Sequence, residues 1–407
     1  DDGLRPVDDL GGDLLAAVVG QADRPASAEE LARMVAMVEQ AVADGACGVS
    51  TGLEYTPGAF ARPGELAALS RPLAARGLPY ATHMRNEDDR LLDAVDEALR
   101  VGQEAGCPVQ ISHLKAMGRR NWPRIDEVFG RLDRARASGV DAMFDWYPYV
   151  AYSTGLSSLF PTWSLEGGAA ALLQRADDPA QATRVRTGVL DKIALIGGWD
   201  SVQIAAVSAA EDRAVEGQRL GTFAAARGID PYVLTLDLLR RSQGAVSMVG
   251  FAMDEASLDR LIAHPLAMVC SDGGAFAVDG PTRRGQPHPR GAGTFPRVLG
   301  HFVRERKALP LGEAIRKMTS VTAARVRLSD RGRLTEGLAA DLVVFDPARI
   351  ADRATFADPF QYPVGISLVV VNGRIVVRDG QRTPAAAGRT LRPAARTAVA
   401  AAVVRGV

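Results

Sequence analysis

The sequence contains no uninterrupted apolar run of about 18 residues, so no segment reads as a transmembrane helix. It has no excess of either charge: 48 Lys and Arg face 48 Asp and Glu. That balance argues against a surface for nucleic acid or an anionic membrane. Cysteine is scarce. Cys47, Cys107 and Cys270 sit in or beside apolar strand-like runs. They are expected to be buried, reduced thiols of a cytoplasmic protein and not a disulfide framework. The opening stretch DDGLRPVDD is acidic and not apolar, which excludes a signal peptide on the sequence as it stands. Neither GxGxxG nor GxxxxGK(S/T) occurs, so the phosphate-cradling signatures are missing. Histidine is also rare, five in 407 residues, and no two form His-x-His.

What is present centres on residues 79–115, PYATHMRNEDDRLLDAVDEALRVGQEAGCPVQISHLK. Two short apolar runs, at about 79–83 and 108–113, each end in a histidine. Between them Leu91, Leu92, Val95, Ala98, Leu99 and Val101 recur at helical spacing, and Gly106 closes the helix before Pro108. This is a β-α-β unit, which places His83 and His113 at equivalent points on neighbouring parallel strands. Such strands lie about 4.8 Å apart, so two imidazoles at their carboxyl ends can share a metal ion.

The same alternation extends in both directions. Ser27 and Glu30 form a capping box for a helix to about Asp44, followed by the strand and loop CGVSTGLEY and a helix near 64–76. Beyond His113 come a helix near 121–137 and the strand DAMFDWYPY. AVSMVGF at 245–251 is strand-like, Asp254 caps a helix to about His264, and PLAMVCSDGG at 265–274 is a buried strand with a polar end. The stretch 275–296 reads as a long loop, with helices near 296–306 and 311–326 after it. Asn372-Gly373 between apolar runs is a hairpin turn. The expected organisation is an irregular segment at 1–25, an α/β barrel at 26–330, a small β module at 331–390 and a tail at 391–407. A long insertion at about 152–245 is expected to cover a site within the barrel.

In a (β/α)8 barrel, catalytic groups come from the carboxyl ends of several strands. His83, His113 and Asp272 fall there. A carboxylate at the end of CSDG reads either as turn chemistry or as a metal-binding group that takes a proton from water. Two histidines with one carboxylate and an open position suit zinc hydrolysis. Side chains two apart on a strand share a face, so Arg85 accompanies His83 and Lys115 accompanies His113. Tyr147 shares a strand face with Asp145, and Tyr149 reads as packing. Arg283, Arg284, His288 and Arg290 lie on the loop after Asp272, either solvated or holding a substrate carboxylate. His264 and His301 read as structural.

At these residues the sequence resembles the N-acyl-D-amino-acid deacylase (D-aminoacylase) family of the amidohydrolase superfamily. The matching stretches include GVSTGLEYTPGAFA, YATHMRNEDD, PVQISHLKA, DWYPYVAYSTGL, CSDGG and HPRGAGTFPRVLG, and the likeness covers roughly 20–390. The resemblance implies a (β/α)8 barrel with a small β-sandwich and a zinc site. It implies His83 and His113 as zinc ligands and Asp272 as general base that can touch a second metal. It further implies Lys115, Tyr147, Ser153 and Arg283 as substrate-binding groups, and Tyr55 as a catalytic helper that polarises the scissile carbonyl. The reaction implied is hydrolysis of N-acyl-D-amino acids, small-molecule substrates.

The sequence departs from that family in lacking His-x-His, and Cys47 does not match its upstream cysteine ligand. By motif alignment, the first three barrel strands and half of the sandwich are expected to fall outside the sequence, leaving about five of eight strands. A catalytically impaired or binding-only relative is therefore one alternative. A second is another amidohydrolase acting on cyclic amides, although CGVSTGLEY lacks the lysine such enzymes modify.

Overall fold

The computed structural model describes residues 10–275 and 277–394, with the side chains of 10–13 left aside. Its centre is built from β1 (Val49–Gly52), β2 (Tyr80–His83), β3 (Val109–Ile111) and β4 (Ala142–Trp146). Next in the chain come β5 (Ala151–Gly155), β6 (Val202–Val207), β7 (Val246–Phe251) and β8 (Ala267–Val269). β1-β2-β3-β4-β8 form one sheet, parallel at every pairing. The expectation of about five parallel strands thus agrees with the structure, and among the described residues β1 and β8 are open edges. Register brings Gly52 level with His83, Thr82 level with Ile111 and Ile111 level with Phe144. The strand ends that carry the histidines therefore lie side by side.

Helices cover the outer face. α1 (Leu10–Val18) falls in the stretch expected to be irregular; its Leu14 and Leu15 are buried against the α2 (Ala28–Ala43) region. The capping box that opens α2 is present, with Glu30 accepting from the Ser27 amide and Ser27 accepting from the Glu30 amide. α3 (Pro63–Ala74) and α4 (Leu91–Ala105) pack beside it. α4 buries Leu91, Val95 and Leu99, each contributing about 1.5–3 kcal/mol of hydrophobic stabilisation. It lies so close to β3 that a Cβ at Gly102 would stand 2.0 Å from Val109 Cγ2. Gly106 ends the helix in the left-handed conformation, as the sequence predicts. α5 (Ile125–Ala137) completes this layer.

Residues 151–251 form a lobe whose core also takes in Met117, Tyr147 and Tyr149 beside the parallel sheet. It holds α6 (Gly168–Asp177), α7 (Ala182–Ile196), α8 (Leu220–Ala225) and α9 (Pro231–Arg241). These pack on an antiparallel sheet ordered β5-β7-β6. The strand-like run at 245–251 belongs to this sheet and not to the parallel one. α10 (Glu255–Ala263), capped by Asp254, returns the chain to β8. α11 (Arg290–Arg297) runs on as a π-helical stretch to Glu305, and α12 (Leu311–Met318) and α13 (Ser320–Arg325) follow.

The β module consists of β9 (Leu342–Phe345), β10 (Ile366–Val371), β11 (Arg374–Arg378) and β12 (Gln381–Arg382), ordered 12-11-10-9. Asn372 and Gly373 both have positive φ, 47° and 78°, the geometry of a type I′ hairpin turn. Residues 383–394 carry no helix, and the rest of the expected tail lies outside the described residues. Cys107 is buried as expected, whereas Cys270 is half-buried and Cys47 is exposed, against the expectation of burial; all three are free. No described helix is long and apolar enough to cross a membrane.

Candidate metal centre at the strand ends

β2 ends at His83, and the turn after β3 carries His113 with a left-handed φ of 40°. Asp145 of β4 holds that turn: its Oδ1 accepts from the His113 amide at 2.7 Å and its carbonyl from the Leu114 amide at 2.7 Å. The outcome is direct contact between the two rings, His83 Nδ1 to His113 Nε2 at 2.9 Å.

Each histidine has a carboxylate and a lysine behind it. On one side Glu87, in the loop after β2, lies 3.2 Å from His113 Nδ1. Lys115 donates to both Glu87 oxygens at 2.7 and 2.8 Å, and its Nζ is 2.8 Å from His113 Nδ1. On the other side Glu54, just after β1, lies 3.0 Å from His83 Nε2. Lys192 of α7 reaches Glu54 at 3.4 Å and Asp88 at 2.8 Å. Burial by itself would raise the Glu87 carboxyl, but Lys115 and the two histidines outweigh it and hold it well below the ordinary carboxylate range. Glu54 is likewise lowered, burial being outweighed by Lys192 and His83. Burial, reinforced by the Lys115 charge, lowers His113 and keeps its ring neutral.

The partner of His83 constrains its ring proton. His113 Nδ1 faces both the Lys115 ammonium at 2.8 Å and the Glu87 carboxylate at 3.2 Å, and its Nε2 faces His83 Nδ1. An ionised carboxylate only accepts, so His83 donates from Nε2 to Glu54. That leaves the lone pair of His83 Nδ1 facing its neighbour.

Among the described residues, His83, Glu87 and His113 offer donor atoms within 4.8 Å of one another. Two imidazoles and one carboxylate with open positions are a donor set that fits zinc. They lie in the wall of a cavity of about 350 Å³ that is also lined by Tyr55, Lys115, Tyr147, Ser153, Asp272 and Arg290. The Tyr147 and Tyr152 hydroxyls are buried there with no hydrogen-bond partner. Burial raises the Tyr147 hydroxyl well above its ordinary value, so it stays a neutral donor. Tyr55 sits at the rim, its ring 4.8 Å from that of His83, and its oxygen accepts from Thr154 of the lobe at 3.0 Å.

The structure thus brings most of the expected site residues into one cavity, with differences of role. Asp272 lines it, but its carboxylate pairs with Arg290 at 2.7 Å and stands apart from the three converging donors. Asp272 has a left-handed φ of 45°, and at Gly273 a Cβ would stand 2.4 Å from Gly291 Cα, which clamps the turn against the start of α11. Arg283 is exposed, stacked over Phe360 at 5.1 Å and outside the cavity lining; Arg290, nearly buried over Tyr147, is the loop arginine that faces it. His288 is spent on packing, its Nε2 bonded to the Ala151 carbonyl at 2.9 Å. Arg85 does not accompany His83: it turns to Glu97 and the Ala59 and Ala61 carbonyls. Tyr149 packs on His288, and His264 stacks on Phe129. Glu87, Glu54 and Lys192 escaped the sequence reading. An acidic residue in the loop after His83, within the same β-α-β unit as Lys115, was a usable signal for Glu87.

Comparison with known proteins agrees with this architecture. Residues 181–377 match the model of the amidohydrolase family. D-aminoacylase of Alcaligenes xylosoxydans xylosoxydans is 38% identical over 385 residues, covering 95% of this chain and 69% of that protein. The N-acyl-D-glutamate deacylase of the same organism is 38% identical, covering 88% of this chain and 63% of that protein. The chain therefore spans about two thirds of the length of these relatives. Among solved structures, a D-aminoacylase superposes with a TM-score of 0.76 at 37% identity, covering 93% of this chain and 69% of that one. An N-acyl-D-glutamate deacylase from Bordetella bronchiseptica, complexed with zinc and a phosphonate mimic of the tetrahedral intermediate, superposes at 0.73 with 34% identity, covering 91% and 69%.

Proposed function

The chain belongs to the D-aminoacylase family of amidohydrolases, and we propose that it hydrolyses the amide bond of N-acyl-D-amino acids with zinc as its cofactor. The observation that carries the reading is the convergence of His83, Glu87 and His113 in the cavity that also holds the Asp272–Arg290 pair. His83, His113 and the Glu87 carboxylate would hold the metal. The chemistry a bound zinc ion supplies is Lewis acidity toward the acyl carbonyl and the attacking water.

The chain's own groups do the rest. Asp272, paired with Arg290, accepts the proton of the attacking water and returns it to the leaving amine. Arg290 keeps further N–H groups for the substrate carboxylate, a match of two charged planar groups. The unpartnered Tyr147 hydroxyl and Ser153 supply neutral donors around it. Tyr55 at the rim is placed to donate to the oxyanion. Lys115 is saturated by Glu87 and His113, so its part is to hold the centre together. The free thiols suit a reducing, cytoplasmic setting.

The test is acetate release from N-acetyl-D-amino acids, with and without added zinc, against the L enantiomers as control. Zinc-dependent release from the D series is expected. No release with zinc fully loaded would overturn the reading.

A further inference from the structure

Lys192 lies on the lobe, far along the chain from the strands that carry the histidines. It nevertheless inserts its ammonium between Glu54 and Asp88, all three side chains being less than a fifth exposed. Glu54 divides its oxygens: Oε1 faces Lys192 and Oε2 accepts from His83 Nε2. The other histidine needs no such help, because Lys115 and Glu87 come from the same β-α-β unit.

We propose that Lys192 is a positioning residue for the metal centre, acting through Glu54 on the proton of His83. This rests on the reading of His83 as a metal ligand. A ring with two nitrogens can present either one, and the hydrogen bond at one nitrogen decides which lone pair is left at the other. Glu54 accepts at Nε2, so Nδ1 is the free donor atom, and Nδ1 is the atom that faces His113. Lys192 holds the Glu54 carboxylate turned inward. Without it the carboxylate is free to swing to solvent, Nε2 loses its acceptor, and His83 can present the wrong nitrogen. The centre's preferred tautomer is thus set by a helix of the lobe.

The test measures the His83 tautomer directly, by long-range proton–nitrogen correlation on the metal-free chain with labelled histidine. Zinc affinity is measured in parallel by competition with a chelator. Wild-type His83 is expected as the Nε2–H form. Glu54→Gln removes the pure acceptor; it is expected to redistribute the tautomers and weaken zinc binding roughly 10–100-fold. Lys192→Met is expected to move the same signals in the same direction, with about a tenfold loss. Lys192→Arg restores both. Asp88→Asn weakens the lobe's grip on the barrel without touching Glu54, and is expected to leave the His83 signals in place. A wild-type spectrum in Lys192→Met would overturn the proposal. So would a shift in Asp88→Asn as large as in Lys192→Met, which would make Lys192 only a docking contact. The spectra need neither zinc nor turnover, so failure of the deacylase assay leaves this test intact.

Discussion

The two flanks of the histidine pair are built from the same parts and differ in how they are joined. Behind His113 stand Glu87 and Lys115, both supplied by the turns of one β-α-β unit and both almost wholly buried. Behind His83 stand Glu54 and Lys192, one after β1 and the other on the lobe, each with about a sixth of its side chain exposed. The first flank is local and dry; the second is long-range and within reach of water. A local pair forms whenever its unit folds. A long-range pair forms only when two cores have docked, and so it reports on that docking.

The largest expected difference is in stability. Lys115→Met leaves Glu87 buried without its counter-ion, a change that costs about 3–5 kcal/mol. Lys192→Met leaves two carboxylates that can turn toward solvent, and about 1–2 kcal/mol is expected because the charges need not stay dry. Guanidinium unfolding of the two variants checks this, and equal losses would erase the distinction between the flanks.

A smaller effect separates Glu87 from the other carboxylate of the cavity. Glu87→Gln is expected to weaken zinc binding at least tenfold, about 1.4 kcal/mol, by removing a charged donor. Asp272→Asn is expected to leave zinc binding within about threefold while abolishing proton transfer in turnover. Isothermal titration with zinc decides, and the reverse ranking would move the third ligand from Glu87 to Asp272.

The smallest expected effect is on acid stability. Glu87 and Glu54 are both held below the ordinary carboxylate range in the folded chain. A lowered folded value means that the unfolded chain binds more protons in acid. The stabilisation is present above the unfolded carboxyl range near about 4.3 and is lost as pH falls through the folded values. Chemical denaturation between neutral and acid pH should show this decline. It should be shallower in a Lys115→Met, Glu87→Gln double variant than in Lys192→Met, since the former removes the more buried of the two pairs.

How much of this could be read in advance follows the same division. His83 and His113 were legible because a strand ending in histidine, repeated across one helix, is a local pattern. The hairpin at Asn372-Gly373 and the caps at Ser27 and Asp254 were legible for the same reason. Arg290 was in view, but the choice between it and Arg283 depends on how a loop rich in Gly and Pro folds back, and spacing from Asp272 does not settle that. Lys192 carried no signal, because a lysine on an amphipathic helix normally faces water. The run at 245–251 has a strand's own pattern, but the sheet it joins is decided by the lobe.

The lobe's core has one more consequence. Its aliphatic interior, from Leu156 through Val189 to Met248, is built by the lobe's own helices and strands, with Met117, Tyr147 and Tyr149 at its border with the parallel sheet. Its backbone amides can therefore remain shielded from deuterium even while it lifts as a body from the strand ends. Hydrogen exchange would then show two clocks in one molecule. The amides at the seam around Glu54 and Asp88 should exchange on the faster one, and those inside the lobe and behind the sheet on the slower.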